Sequence, residues 1–140
     1  MAHKLQQAYD VCQKPVLVED VSLVFNALGE LPGPYIKWFI EHAGDEACCK
    51  MLDGFEDRSA VINCTFGYFD GKHMEFFDSA LPGLIADMPR GTNGFGFDRF
   101  FIDEGMTITR AEMSQEENER TYAELMKPFA KVRAFLTASR

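Results

Sequence analysis

From Ser59 onward the apolar residues fall on every second position: Ala60, Ile62, Cys64 and Phe66 share one face, and Asn63, Thr65 and Gly67 take the other. That period belongs to an extended strand with one buried side, because successive side chains on a strand point to opposite faces. The run ends at Asp70-Gly71, a pair suited to a tight type I′ turn in which both central residues need positive φ, and "KHMEFFDS" returns after it. An antiparallel hairpin is therefore predicted, and every other element has to be arranged around it.

Upstream, Leu5, Ala8, Val11 and Cys12 recur at helical spacing until Pro15 bars continuation, which predicts a short helix starting almost at residue 1. "PVLVED" then reads as an apolar strand covered on both faces that ends abruptly in Glu19 and Asp20, with "VSLVFN" available to continue it. "ALGELPGPY" is a loop. Pro34 suits the first turn of a helix whose core stripe is Tyr35, Ile36, Phe39 and Ile40, and a second short helix capped by Asp45 carries Cys48 and Leu52. Near the C-terminus, "SQEE" permits a capping box between Ser114 and Glu117. The apolar set Tyr122, Leu125, Met126, Phe129, Val132 and Leu136 follows one helical face, and Pro128 predicts a kink or break near Glu124 to Lys127.

The 140 residues suit one domain, residues 1–140, and the 46% apolar content is enough for a packed core. A net charge of −8 argues against a nucleic-acid polymer as partner, since such binders need a basic stripe to displace counterions. It leaves room for one nucleotide whose phosphates reach the carboxylates through a divalent cation. Cys12, Cys48, Cys49 and Cys64 have no C-x-x-C spacing and read as reduced thiols, and no run approaches the ~20 apolar residues of a membrane span. A cytoplasmic protein is expected. His3, His42 and His73 lie outside any ligand-spaced cluster and read as surface or packing residues.

Two stretches are candidates for chemistry. In "PRGTNGFGFDRFF", Gly91, Gly94 and Gly96 allow a tight approach of backbone to ligand, Phe95 and Phe97 offer flat faces for stacking, and Asp98 can accept hydrogen bonds from ring N–H groups. The plainer alternative is a glycine-rich loop entering an edge strand with both phenylalanines in the core. Glu19 and Asp20 suit a Mg²⁺ ligand and a base that orients water, or else solvated or capping carboxylates.

"PVLVEDVSLVFNALGELPGPYIKWF", "LDGFEDRSA", "PRGTNGFGFDRFF" and "AEMSQEE" resemble, in the same order, the inosine triphosphate pyrophosphatase family, over roughly residues 4 to 120. The resemblance implies an α/β fold, a mixed twisted sheet flanked by helices, usually as a homodimer. It also implies Mg²⁺-dependent conversion of ITP, XTP and dITP to the monophosphate and pyrophosphate. By position it makes Asp20, with Glu19 beside it, the catalytic and metal-site carboxylate, and Phe95, Gly96, Phe97 and Asp98 the segment that cradles and reads the purine.

The sequence also departs from that family. The family's initial strand, its phosphate-binding "T-G-N-x-x-K" turn and a further metal-site acid have no counterpart ahead of the first helix. The expectation is thus a truncated, divergent member with an exposed sheet edge that a second copy covers. Asn118 stands in place of a family lysine, and Tyr122, Ala123 and Glu124 in place of "S-H-R". With those cations gone, phosphoryl charge is poorly stabilised, so hydrolysis is weak or lost, and a non-catalytic nucleotide-binding or dimerising module is the alternative.

Overall fold

The computed structural model describes residues 1–138. Helix α1 (Ala2–Cys12) leads into strand β1 (Val16–Phe25), a short β2 (Pro32–Gly33), helices α2 (Ile36–His42) and α3 (Asp45–Lys50), and the long strands β3 (Ser59–Phe69) and β4 (Met74–Ile85). After the glycine-rich loop come β5 (Phe101–Asp103), α4 (Gln115–Thr121) and α5 (Phe129–Ala138). The sheet order is β2-β1-β3-β4-β5.

The α/β architecture is as expected, but every strand pair among the described residues is antiparallel, where a mixed sheet had been implied. The helices α2 and α3 do lie between the neighbouring strands β1 and β3, but they return the chain antiparallel, whereas a parallel pair needs a crossover back to the same end. β1 pairs with β3 along its whole length, yet on its other side only Leu23 and Val24 meet β2. Residues 16–22 therefore form a free edge among the described residues.

Alternation assigns the two faces. Leu23 and Phe25, Ala60 and Ile62, Leu81 and Ile85 lie on one side and build the main core with Ile36, Cys48, Cys49, Leu52, Phe97, Phe100, Phe101 and Met126. Further along the same side, Cys64 and Phe66 pack on Val132 of α5. The opposite side is covered at one end by α1, whose Leu5 is fully buried against Gly67, a position where a Cβ would lie 2.7 Å from the leucine Cδ1. The N-terminal stretch of β1 is thus not covered on both faces, and Leu17 is exposed.

The hairpin forms, with a four-residue loop between Phe69 and Met74 in place of the I′ turn. The Asp70 carboxylate accepts the backbone N–H groups of Lys72 (2.9 Å) and His73 (2.7 Å), so only Gly71 takes positive φ. Those backbone bonds, His73 first, pull the Asp70 carboxyl down to about 2.

Ser114 caps α4 by accepting the Glu117 N–H at 3.1 Å. The expected break is present: a π-turn occupies Tyr122–Met126, and Lys127 is extended as a residue before proline prefers. Tyr35 leaves the expected core stripe of α2 and faces solvent, as does Trp38 beside it.

Candidate functional site

The glycine-rich loop is held from several sides. The Thr92 and Asn93 N–H groups donate to the Ala111 carbonyl (3.2 and 3.0 Å), the Asn93 amide donates to the Met113 carbonyl (2.7 Å), and Arg99 Nε donates to the Gly91 carbonyl (3.2 Å). Two glycines are required here. At Gly91 (φ +92°) a Cβ would strike the Ala111 carbonyl, and at Gly94 (φ +77°) it would strike the Asp98 carboxylate. Phe95 stands out at the tip, 68% exposed, with Gly96 exposed behind it. A cleft of about 360 Å³ opens beside it, lined by Thr92, Asn93, Gly94, Gln115, Asn118 and Glu119.

Phe97 and Asp98 do not present themselves to a ligand as expected. The Phe97 ring is in the core, edge-on to Phe101 at 6.3 Å, because the 3₁₀ turn Gly96–Arg99 rotates it inward while Phe95 stays outside. Asp98 is also buried, and its carboxylate is already engaged by the Phe95 N–H (3.1 Å) and the Asn118 amide (3.3 Å). Burial pushes its carboxyl above the ordinary aspartate range, against those bonds and the nearby Arg110. Asp98 acts as the anchor of the loop.

Behind it lies a residue that the sequence did not flag. Arg110 is fully buried, grips both oxygens of Asp103 through Nη1 (2.9 and 2.8 Å), and donates from Nη2 to the Thr121 hydroxyl (3.0 Å). Its Nε sits 3.5 Å from Asp98 Oδ1 without a hydrogen bond. One guanidinium thus joins β5, the loop and α4. Asn118 completes the joint by donating to the Arg110 carbonyl at 2.8 Å, so the amide in the lysine position is structural.

Glu19 and Asp20 are in mid-strand, since β1 runs on to Phe25, and as neighbours they point to opposite faces. On the core side, Glu19 accepts from Lys127 Nζ at 2.9 Å. Lys127 is buried; burial works against its charge and the Glu19 carboxylate outweighs that, leaving the ammonium above the ordinary lysine range. The ammonium also lies 4.8 Å from the centroid of Tyr122, which meets Phe95 edge-on at 5.6 Å. Glu19 is therefore linked to the loop through Lys127 and Tyr122. Glu124 points elsewhere and pairs with Arg120 on the surface at 3.0 Å.

Asp20 is on the other side, half-exposed, in a row with Thr65 and Asp78, whose side chains are joined by a hydrogen bond. Lys4 of α1 donates to its carboxylate (2.5 Å) and to the Glu19 carbonyl (3.0 Å). This cation carries no motif and was legible only once α1 was docked on the sheet. Among the described residues no three His, Cys, Asp or Glu side chains cluster as for a metal ion. The thiols of Cys48, Cys49 and Cys64 are pushed up to about 11 by burial and are poor nucleophiles.

Against this geometry stand the likenesses to known proteins. A sequence model of the Ham1 family matches residues 1–125. Inosine triphosphate pyrophosphatase 2 of Trypanosoma cruzi is 46% identical over 120 residues, 84% of this chain and 61% of its own length. The inosine triphosphate pyrophosphatase of Candida albicans is 45% identical over 136 residues, 96% of this chain and 66% of its own. The chain thus spans 61% to 66% of the length of these relatives. The Staphylococcus aureus Ham1 protein superposes with a TM-score of 0.85 at 26% identity, covering 98% of this chain and 74% of that one.

Proposed function

The chain belongs to the Ham1 family, and from that premise we propose that it binds non-standard purine nucleoside triphosphates, ITP, XTP and dITP, and that their conversion to monophosphate and pyrophosphate centres on Asp20. The observation that carries this reading is Phe95, an exposed ring on a rigidly held loop beside an open cleft. Stacking of a purine on such a ring contributes about 1 to 3 kcal/mol. Gly96 keeps the backbone bare where the base edge approaches, while Phe97 and Asp98 hold the loop from beneath, Asp98 against Gly94.

Asp20 serves as the metal carboxylate and orients the attacking water, with Lys4 as the cation beside it. Mg²⁺ suits this sparse donor set, because it keeps several waters and takes one or two carboxylates together with phosphate oxygens. When bound it neutralises charge on the phosphates. In this reading the base lies on Phe95 and the phosphates at Asp20, and Glu19, tied to Lys127 on the other face, leaves the metal to Asp20.

A second reading, binding without turnover, is favoured by the scarcity of cations at the phosphate end. Lys4 is the one ammonium contacting Asp20 among the described residues, and Lys127 is engaged on the opposite face. We further assign the chain to the cytoplasm as a homodimer; its thiols are free, and no helix among the described residues is long and apolar enough to cross a membrane.

Calorimetric titration of ITP, XTP and GTP in Mg²⁺ tests the binding claim. Saturable binding that prefers ITP or XTP over GTP supports it, and no heat with any nucleotide overturns it.

A further inference from the structure

Asp98, the expected reader of the base edge, is buried and committed to the loop, so the cleft beside Phe95 has to read a base with other groups. Among the described residues that line it, three carry amides. Asn93 donates to the Met113 carbonyl (2.7 Å), and Asn118 to the Arg110 carbonyl (2.8 Å) and the Asp98 carboxylate (3.3 Å), so both amides hold the fold. The third amide, Gln115, is exposed at the start of α4. Its Nε2 donates at 3.1 Å to Oε1 of Glu119, which lies one turn on and also lines the cleft. Thr92 adds a hydroxyl, which rotates to give or accept a hydrogen bond and so does not discriminate.

We propose that Gln115 reads the N1–C6 edge of the bound purine, and that Glu119 is the positioning residue that fixes which way its amide faces, so that 6-oxopurine nucleotides are accepted and ATP is refused. This assignment rests on the base lying on Phe95, as put forward above. An amide offers one acceptor oxygen and two donor protons on its nitrogen. With one Nε2 proton on Glu119, the second lies beside Oε1, and the two together match a 6-oxopurine: Nε2 donates to O6 and Oε1 accepts from N1–H. Adenine carries the reverse order, a donor on N6 and an acceptor at N1.

An unrestrained amide can turn over to serve either order, and bidentate glutamine–adenine pairs are common in DNA recognition. In this cleft, turning over sets Oε1 against the Glu119 carboxylate, two acceptors with no proton between them, and breaks the hydrogen bond that held the amide. Such a repulsive element against the wrong ligand is how a site separates two ligands of similar shape. Phosphates drawn to Asp20 keep the base from reversing in place of the amide. ITP, XTP and GTP share the N1–H and 6-oxo groups, so Gln115 treats the three alike and any preference among them arises at the 2-position.

Calorimetric titration of ITP and ATP in Mg²⁺ tests the assignment on wild type, Glu119→Gln, Gln115→Leu, the double variant Gln115→Leu/Glu119→Gln, and Phe95→Ala. The readout is the ratio of the two dissociation constants, because both ligands carry the same triphosphate and a change in charge or in loop stability moves both alike. A good bidentate pair discriminates by about 5- to 150-fold, and wild type is expected to prefer ITP within that range. Glu119→Gln is expected to bring the ratio toward unity by tightening ATP, since a glutamine there can pair with the amide either way round. Gln115→Leu is expected to bring it toward unity by weakening ITP, and Glu119→Gln to add nothing in that background. Phe95, Gln115 and Glu119 are exposed, so every variant is expected to keep the wild-type far-UV circular dichroism.

Equal affinity of wild type for ITP and ATP overturns the assignment. So does a wild-type ratio in either single variant, or a ratio that Glu119→Gln moves as far without Gln115 as with it. In each of these cases an ITP affinity that still falls in Phe95→Ala leaves the base on Phe95. ITP binding that is absent from wild type, or unaffected by Phe95→Ala, overturns the base site and the assignment together.

Discussion

The loop from Gly91 to Arg99 and the carboxylate at Asp20 are held in place by very different means. The loop is pinned by backbone bonds to Ala111, by an asparagine amide, and by a buried carboxylate resting on Arg110 and Asn118. Asp20 has one ion pair with a lysine, both side chains 51% exposed. Such a surface pair is worth about 0 to 1 kcal/mol and is screened by salt. Preorganisation is what converts charge into catalysis, since fixed dipoles and cations need not rearrange as the reaction proceeds. The glycine-rich loop is thus held rigidly and the Asp20 carboxylate loosely, which is the contrast the proposed function rests on.

Arg110→Met probes the rigid side with the largest expected effect. Removing the guanidinium strands two buried carboxylates, Asp98 and Asp103, which costs about 3 to 5 kcal/mol. A urea melt within 1 kcal/mol of wild type, about the scatter of an ordinary substitution, would break the contrast. Phe95→Ala comes next: nucleotide affinity should fall by about 1 to 3 kcal/mol, or roughly 5- to 150-fold, with the melt unchanged because the ring is exposed. Equal affinity by calorimetry would mean that the base sits elsewhere.

Asp98→Asn sharpens the comparison through pH. Burial raises the folded carboxyl above its unfolded value, so the folded chain binds the extra proton between the two. The charged group therefore penalises folding at neutral pH. That penalty is relieved as pH falls through the folded value, and is gone below the unfolded one, near ~3.9. Wild type should gain stability relative to Asp98→Asn from pH 7 toward pH ~4; a constant difference in urea midpoint would show that Asp98 titrates normally. Asp20→Asn should do least to the fold, under about 1 kcal/mol. A larger loss would mean that the Lys4 contact is structural.

Much of this contrast was legible beforehand, for identifiable reasons. The period of two from Ser59 identified the buried face of β3, and Pro128 marked the break that the π-turn and Lys127 make. Two acids at Glu19-Asp20 interrupt an apolar run and look like a strand end, yet Val21 to Phe25 carry the strand on, the continuation that "VSLVFN" allows. Once β1 continues, alternation alone separates Glu19 from Asp20. Phe95 and Phe97 look equivalent in sequence, and only the 3₁₀ turn between them sends one outward and one into the core. Arg110, Lys4 and Lys127 had no local signal, because each is defined by a carboxylate distant in the chain or buried with it.

Pyrophosphate release from ITP, XTP and GTP in Mg²⁺, wild type against Asp20→Asn, tests the proposed function most directly. The prediction is release that prefers ITP and XTP over GTP and drops in Asp20→Asn by about 10²-fold or more, as for a lost catalytic acid or base. Release that is indifferent to the base, or undiminished in Asp20→Asn, would contradict it.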